Sequence, residues 1–331
     1  MKRRLVSIPA LILAAILLLI TAPLWIVVSA IGDLVRGRRR LPTTRLLAFA
    51  VSWSWLELSG VTMSLVLWMT GRSGSHERHY ALQRWWARNL LRALRTTCGV
   101  HVTVENPEAL RPGPVLLFAR HASLADSLVS AYVVTTVAGM KPRYVLKKEL
   151  LADPCLDIVG QRLPNHFLDR AATDSTPELD ALARLTSGMD ADTVGIIFPE
   201  GTRANPDKRA KALAKISAVD SDRASRVASM QHLLPPRPAG AAAMLRGNPS
   251  CDVVLAWHIG FEGLDTFGGI LSALAEPVPP VRFVLRRIPR SDVPSPYGDF
   301  TAWLDAEWMR MDDEVDAALK ARFQERRTSN G

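Results

Sequence analysis

The chain contains little cysteine, and its three cysteines follow no pattern that would make a site. Cys98, Cys155 and Cys251 have neither the spacing of a zinc centre nor that of a disulfide framework, and an odd number of thiols suits a reducing compartment. The Gly-x-Ser-x-Gly turn that exposes a nucleophilic serine in many hydrolases is also missing. We therefore expect buried or incidental thiols, no metal centre and no serine nucleophile of that type.

Acidic residues are scarce in the first 100 positions. These positions hold 14 Lys and Arg but only 3 Asp and Glu. The rest of the chain holds 27 Lys and Arg and 29 Asp and Glu. A protein that binds nucleic acid should carry its basic charge on the folded domain, but here the charge flanks apolar segments. The distribution argues against a nucleic-acid partner and favours a bilayer with anionic headgroups.

Two long apolar stretches lie in this basic region. Residues Ile8 to Ile31 carry no charge and are long enough to span a hydrocarbon layer of about 30 Å. They are too long for the apolar part of a signal peptide. Pro23 could kink a helix formed by this stretch. The stretch from Leu46 to Met69 is a weaker candidate because it contains Glu57, four Ser and three Trp. We predict a membrane anchor of two apolar helices within residues 1–79.

The connector between the two stretches contains four arginines and leaves the membrane topology open. If both stretches cross the bilayer, Arg36 and its neighbours face away from the remainder of the chain, which strains the positive-inside tendency. A helical hairpin that enters one leaflet and returns would keep every basic cluster on the cytoplasmic side. The charge pattern slightly favours the hairpin.

Residues 80–96 have the pattern of an amphipathic helix. One face is apolar and comprises Leu82, Trp86, Leu90 and Leu94. The other face is basic and comprises Arg84, Arg88, Arg92 and Arg95. This pattern is typical of a helix that lies in a membrane interface. The alternative is a helix docked on the protein core with a solvated basic face.

From residue 101 onward, short apolar runs alternate with helical patterns. This alternation predicts an α/β fold, with a largely parallel sheet and crossover helices behind an N-terminal membrane-embedded helical segment. The predicted strands are His101–Val104, Val115–Phe118, Arg143–Leu146, His166–Asp169, Val194–Phe198, Cys251–Trp257 and Arg282–Leu285.

Two of these strands end in polar residues that could form a site. His121 follows Val115–Phe118, and Asp126 lies five residues later, a spacing that allows a general base and the carboxylate that orients it. A helix N-cap at Ser123 or Asp126 beside a hydrogen-bonded histidine is the simpler interpretation. Because open α/β sheets place their sites at the carboxyl ends of strands, we expect both motifs at the same edge.

The second motif is the sequence Phe-Pro-Glu-Gly-Thr-Arg, residues 198–203. Gly201 permits a backbone conformation that other residues resist, and Arg203 offers a planar fork of donors suited to phosphate. An ordinary strand-to-helix turn with a surface Arg–Glu pair would explain the motif equally well on its own.

Together the two motifs resemble those of the glycerolipid acyltransferase family, whose members acylate lysophosphatidic acid and related lysophospholipids. His121 and Asp126 match the family's His-x4-Asp block, and Phe198 to Arg203 match its Phe-Pro-Glu-Gly-Thr-Arg block. The resemblance covers roughly residues 80–315 and implies an acyltransferase domain over residues 80–331. Leu233 to Gly240 resembles a further block of the long, eukaryote-like branch.

The resemblance implies that His121 is the general base, that Asp126 orients it, and that Lys147 and Arg170 join Arg203 as ligands of a phosphate. The remaining substrate-binding residues would be Glu200, Gly201 and Thr202. The family usually has Asn where this chain has Arg120. That arginine could depress the imidazole pKa by like-charge repulsion or meet an anionic headgroup.

The implied reaction is transfer of a fatty acyl chain to the hydroxyl of 1-acylglycerol 3-phosphate, which makes phosphatidic acid in phospholipid biosynthesis. Acyl-CoA would be the co-substrate, with acyl-carrier protein as the other possible donor, and the resemblance implies no further cofactor and no metal. The expected location is the cell inner membrane, with the catalytic domain facing the cytoplasm. A lysophospholipid with a different headgroup and a catalytically dead membrane scaffold are the alternatives.

Overall fold

A computed structural model of the chain describes residues 2–123, 125–169, 175–264 and 266–329. It contains two compact units. The first comprises Met1–Val102, Ser127–Asp174 and Gly263–Pro280, and the second comprises Thr103–Asp126, Ser175–Glu262 and Val281–Gly331. The predicted division into an anchor of residues 1–79 and a domain of residues 80–331 stays a prediction.

Helices and strands alternate along most of the chain after residue 100. The helices are α1 (Lys2–Ile20), α2 (Ala22–Val35), α3 (Pro42–Met69), α4 (His76–Ala93), α5 (Asp126–Tyr132), α6 (Thr176–Thr186), α7 (Pro206–Ser217), α8 (Ser221–Val227), α9 (Pro238–Gly247), α10 (Phe267–Ala275) and α11 (Tyr297–Ser329). The strands are β1 (Val102–Glu105), β2 (Val115–Ala119), β3 (Lys141–Lys147), β4 (His166–Leu168), β5 (Thr193–Ile197), β6 (Asp252–Ile259) and β7 (Val281–Ile288).

The first apolar stretch forms two helices, α1 and α2, instead of one. Pro23 has no backbone N–H and cannot continue the hydrogen-bond ladder of α1, so the helix ends before it and a new one begins. The indole N–H of Trp25 instead donates to the carbonyl of Leu18 at 2.8 Å. With 14 residues, α2 is about 21 Å long at 1.5 Å per residue, which is shorter than the hydrocarbon layer.

A buried carboxylate joins α2 to α3. Asp33 accepts hydrogen bonds from the backbone N–H of Thr43 at 2.8 Å, from its hydroxyl at 2.8 Å and from the N–H of Thr44 at 3.4 Å. These donors lie in the first turn of α3, where backbone N–H groups have no partner inside the helix. Asp33 therefore caps the following helix, and it holds the two helices together around the arginine-rich connector.

Two helices are long and apolar enough to cross a membrane: α1 over Arg3–Ile20, and α3 over Pro42–Met69. Only 11% and 17% of their most apolar segments are buried, so most of each helix surface is exposed. A continuous apolar surface of this kind is typical of a membrane-contacting segment. Its exposed side chains include Leu13, Ile16, Leu17, Leu24, Val27, Val28, Leu65 and Trp68.

Helix α4 has the predicted amphipathic pattern, but its apolar face packs on protein. Leu82 belongs to a buried cluster that also contains Leu11 of α1 and Val61 of α3. Arg84 and Arg88 lie on the exposed face. The apolar face of α4 is therefore docked on protein, with Leu82 and Leu90 buried and Trp86 and Leu94 partly buried, and contact of its basic face with a membrane interface stays a prediction.

The predicted α/β fold with a mostly parallel sheet is confirmed, and each predicted strand is present. In the first unit β3 and β4 are parallel neighbours. In the second unit the strand order is β1-β7-β6-β2-β5, with β2 parallel to both β5 and β6, and β6 antiparallel to β7. All five residues of β2 are buried, as expected for a central strand covered on both faces.

Candidate active site

The first motif forms a tight turn between β2 and α5. His121 lies two residues beyond β2, and Asp126 is the first residue of α5. Imidazole Nδ1 of His121 lies 2.9 Å from Oδ2 of Asp126. Since a carboxylate only accepts, Nδ1 carries the proton and Nε2 of the neutral ring can accept another. The His121 side chain is 14% exposed, so the ring is accessible although its partner is buried.

Asp126 also organises the turn itself. Oδ2 accepts the backbone N–H groups of Ala122 at 2.6 Å and Ser123 at 2.9 Å, and Oδ1 accepts the hydroxyl of Ser123. The same hydroxyl oxygen accepts the N–H of Ala125 at 3.1 Å. Orienting the histidine and capping the turn, which looked like alternatives in the sequence, are thus performed by one carboxylate.

A second histidine approaches the same carboxylate and was missed by the sequence analysis. Nε2 of His258 lies 3.1 Å from Oδ1 of Asp126, and its side chain is only 1% exposed. Phe283 stacks on this ring at 6.1 Å between centroids, and Phe261 meets it edge-on at 5.6 Å. His258 lies near the carboxyl end of β6, beside β2, so strand order brings it to the site.

The two imidazoles keep the carboxyl group of Asp126 ionised. Burial alone would raise the pKa of this carboxyl group, but the charge of His258 and the hydrogen bond from His121 oppose it and hold the pKa well below its usual range. Asp126 is therefore a buried anion. Such an anion stabilises the imidazolium that forms when His121 takes up a proton.

The second motif begins where β5 ends and folds as a tight loop. The N–H of Gly201 donates to the carbonyl of Phe198 at 2.9 Å, and Gly201 has a φ of +71°, a conformation that glycine adopts most readily. The ring of Phe198 lies 4.9 Å from the imidazole of His121, measured between centroids. The loop thus packs directly against the first motif.

Glu200 connects three segments of the second unit. Its Oε1 accepts the N–H of His121 at 2.8 Å, and its Oε2 accepts the N–H of Leu234 at 3.0 Å. The carbonyl of His121 in turn accepts the N–H of Ala204 at 2.9 Å. Both Glu200 oxygens are used inside the protein, and the side chain is buried. This geometry favours the interpretation that Glu200 locks the loop.

Burial raises the pKa of Glu200 to about 8, although the two backbone N–H groups and the charge of Arg120 oppose this effect. Arg120 is itself buried, and its guanidinium donates to the carbonyl oxygen of His258 at 2.5 Å. Arg120 therefore supports the interior of the site. It does not face a headgroup.

Replacing Glu200 with Gln is expected to destabilise the protein, and more so at pH 5 than at pH 8. Gln offers one oxygen for two backbone N–H groups, and an unsatisfied buried donor costs about 1–3 kcal/mol. The pKa of Glu200 is about 8 in the folded protein and 4.5 in the unfolded chain. Between these two pH values the folded protein keeps a proton on Glu200 that the unfolded chain has lost, so the stability of the wild type falls as pH rises. The variant cannot titrate here. Melting curves in detergent at both pH values measure the difference.

The matched control is Glu108→Gln, because Glu108 is exposed. This variant should melt within about 2 °C of the wild type at both pH values, as expected for a surface change of a few tenths of a kcal/mol. A destabilisation by Glu200→Gln that is equal at pH 5 and pH 8 would contradict the protonated state assigned to Glu200.

Arg203 follows Gly201 and Thr202 on the same loop. One terminal guanidinium nitrogen, Nη1, is buried and has no hydrogen-bond partner among the described residues. A buried N–H without an acceptor is unfavourable, and a bound anion would supply the acceptor. The backbone carbonyl of Arg203 accepts a hydrogen bond from Nζ of Lys208 at 3.3 Å.

The predicted site residues thus fall into three groups. His121, Asp126 and Glu200 are joined by direct hydrogen bonds, and Thr202 and Arg203 continue the loop that Glu200 anchors. Lys147 ends β3 in the first unit, and its predicted contact with a phosphate stays a prediction. Arg170 lies outside the described residues.

Comparison with known proteins gives two findings. Residues 101–245 match the model of the Acyltransferase family, a range that includes both motifs. Among solved structures, the chain is similar to PlsC from Thermotoga maritima, a 1-acyl-sn-glycerophosphate (LPA) acyltransferase. The two share 16% sequence identity and a TM-score of 0.47, and the match covers 80% of this chain and 95% of that one.

Proposed function

The chain is an acyltransferase of the family whose model its residues 101–245 match, and from this premise we propose that it acylates 1-acylglycerol 3-phosphate with acyl-CoA. The product would be phosphatidic acid. The observation that carries the proposal is the His121–Asp126 pair, in which Nδ1 is bound to a buried carboxylate at 2.9 Å and Nε2 is left to act as a base.

The chemistry requires one base and no covalent intermediate. Nε2 of His121 takes the proton of the acceptor hydroxyl while that oxygen attacks the thioester carbonyl. The C–S bond then breaks, and the imidazolium returns its proton to the leaving thiolate, which yields an ester and free CoA. Ser123 is a poor candidate nucleophile because it is buried and its hydroxyl donates to Asp126. A positioned base contributes about 10²–10⁴-fold to the rate.

The acceptor's phosphate is assigned to Arg203. Its loop is held against His121 through Glu200, and its buried Nη1 has no acceptor among the described residues. Charge-assisted hydrogen bonds to an anion are the interactions that a guanidinium makes best. The exposed apolar faces of α1 to α3 support a location at the bilayer, where the lysolipid resides. We place the enzyme in the inner membrane with its site facing the cytoplasm.

The direct test is acyl transfer by the purified full-length enzyme in detergent, with labelled acyl-CoA and a panel of lysolipids. We expect labelled phosphatidic acid from 1-acylglycerol 3-phosphate, formed at least about 10²-fold more slowly by the His121→Ala variant. Acceptors with choline or ethanolamine headgroups should react at least tenfold more slowly. A preference for one of these headgroups would overturn the acceptor assignment, and transfer to none of the panel would overturn the proposal.

Arg203→Lys is expected to raise the KM for the phosphate-bearing acceptor about tenfold and to leave the KM for acyl-CoA nearly unchanged. Lysine keeps the charge but loses the bidentate fork, and a charge-assisted hydrogen bond is worth about 1.5–3 kcal/mol. Some loss of kcat should accompany the change, because a loosely held acceptor presents its hydroxyl to His121 less often. Steady-state kinetics with each substrate varied in turn measure both constants.

Arg246→Lys is the matched control. Arg246 is exposed and pairs with Asp180 at 3.0 Å on the surface of the same unit, so its replacement should change neither constant by more than twofold. A rise in the acyl-CoA KM alone for Arg203→Lys would place Arg203 in the donor site and reverse the assignment of the two substrates.

A further inference from the structure

A groove of about 880 Å³ in the second unit begins beside the catalytic loop. Glu200 and Thr202 line it together with residues of α7, of α8, of the segment from Leu234 to Pro238 and of the start of α11. One carboxylate oxygen of Glu200 accepts the backbone N–H of His121, and the other accepts the N–H of Leu234, which also lines the groove. The groove is therefore continuous with the loop that carries Arg203, but the proposed reaction gives it no role.

The sides of this groove carry a concentration of positive charge. Lys208, Lys211 and Lys215 follow one another at intervals of three and four residues, which places them on the same face of α7. Arg226 of α8 and Arg237 also line the groove. The side-chain Nζ of Lys208 donates to the backbone carbonyl of Arg203 at 3.3 Å. The three elements thus direct their cations to a shared space.

Most of these charges have no counter-ion among the residues that the structure describes. Within residues 2–123, 125–169, 175–264 and 266–329, no ion pair engages Lys211, Lys215, Arg226 or Arg237. Arg223 also lines the groove, but it is neutralised by Asp305, whose oxygens lie at 2.7 and 2.9 Å. The lining carboxyl groups are the buried Glu200 and Asp220, which caps α8 by accepting the N–H of Arg223 at 2.8 Å. The groove therefore has an excess of positive charge that favours an anion.

The groove is more than a solvated basic face, because its lining is also apolar. Ile216, Leu234 and Pro235 line it together with two exposed side chains, Val219 at 90% and Tyr297 at 57% exposure. A helix face that only meets water does not need apolar side chains lining the same groove as its lysines. The combination fits a ligand that has several phosphates and an organic body, and the exposed Tyr297 ring could stack on a base.

We propose that this groove binds the nucleotide part of the acyl donor, with the phosphates of CoA held by Lys211, Lys215, Arg226 and Arg237. This inference rests on the proposed function, since it names the binding site of that reaction's donor. The CoA thiol end would extend toward Thr202 and the loop that packs on His121. The volume falls within the range of about 300–1,000 Å³ typical of small-molecule sites. A carrier protein would instead need a surface of about 800 Å² on each partner.

The test is titration of the full-length protein in detergent with CoA and with CoA lacking its 3′-phosphate, followed by calorimetry. The His121→Ala protein serves as the parent, and because free CoA carries no acyl group, no turnover occurs. We expect CoA to bind, the dephospho form to bind more weakly, and the double variant Lys211→Gln/Lys215→Gln to weaken CoA binding at least tenfold. Affinity should fall as salt increases, because phosphate contacts are screened.

The control is the double variant Lys320→Gln/Arg246→Gln, which removes two exposed cations from the same unit. It should bind CoA like the parent, and both double variants should melt within about 3 °C of it, since surface changes have small effects on stability. CoA affinity that is unchanged in Lys211→Gln/Lys215→Gln would overturn the proposal.

Two further binding measurements, with acyl-carrier protein and with vesicles containing phosphatidylglycerol, test whether the groove binds a ligand other than CoA. If the groove variant loses binding to acyl-carrier protein or to vesicles containing phosphatidylglycerol, and CoA binding is unaffected, the groove serves that ligand and the proposal is wrong. Because the titration needs no acceptor, the result is independent of the proposed reaction. An enzyme that binds CoA in the groove but acylates a different lysolipid would retain this inference and lose only the proposed acceptor.

Discussion

His121→Ala is expected to lower kcat for acyl transfer by about 10²–10⁴-fold and to leave the protein folded and bound to the membrane. The imidazole has one nitrogen bound to Asp126 at 2.9 Å, and its side chain is 14% exposed, so its other nitrogen is the base available to an acceptor hydroxyl. The hydrogen bonds that fix the loop use the backbone N–H and carbonyl of His121 and not its ring, although the ring also packs on Phe198. Alanine preserves both.

The measurement is the initial rate of labelled phosphatidic acid formation at saturating substrates, with membrane fractionation and melting temperature as checks. His101→Ala is the matched control, since His101 is exposed and should not affect the rate. If His121→Ala retained more than about a tenth of the wild-type rate, its loss would lie below the range for a general base and that assignment would be wrong.

Asp126→Asn should also lower kcat by at least about 10²-fold, comparable to other His–Asp pairs. The amide can take two orientations. With its oxygen toward Nδ1 of His121, the tautomer survives but the negative charge that stabilises the imidazolium is gone. With its NH₂ toward Nδ1, the ring must carry its proton on Nε2 and cannot act as a base. Both orientations predict a loss in kcat, with little change in either KM.

The control for this prediction is Asp180→Asn, which removes an exposed carboxylate that pairs with Arg246 at 3.0 Å. It should change kcat by less than twofold. Melting temperature in detergent separates chemistry from folding, because Asp126 also caps its turn through Ala122 and Ser123. A folded Asp126→Asn enzyme with kcat within tenfold of the wild type would restrict Asp126 to that structural role.

Much of the fold and half of the site were visible in the sequence because they depend on local patterns. An unbroken apolar run such as Val115–Phe118 can be satisfied only by burial, and the polar residues after it mark where the strand ends. The spacing of His121 and Asp126 lies within one turn, so its geometry follows from neighbouring backbone. The start of α2 was likewise foreseeable, since Pro23 lacks the N–H that would continue α1.

The other half of the site depends on which strands become neighbours. His258 is 132 positions after Asp126 in the chain, and it reaches the carboxylate only because β6 pairs with β2. Glu200 holds the N–H groups of His121 and Leu234, which belong to distant segments. No spacing in the sequence encodes these contacts, because they are set by strand order and by the packing of loops at one edge of the sheet.

The sequence by itself determined the strands, the two motifs, the apolar N-terminal helices and the residue types that can move a proton or hold a phosphate. Only the tertiary structure decided that α4 packs on protein, that Arg120 is buried, and that Asp126 is a buried anion beside two imidazoles. The physical reason is that side-chain chemistry and hydrogen-bonding capacity belong to each residue. Burial and the identity of distant neighbours, which set the pKa of Asp126 and of Glu200, arise only when the chain is folded.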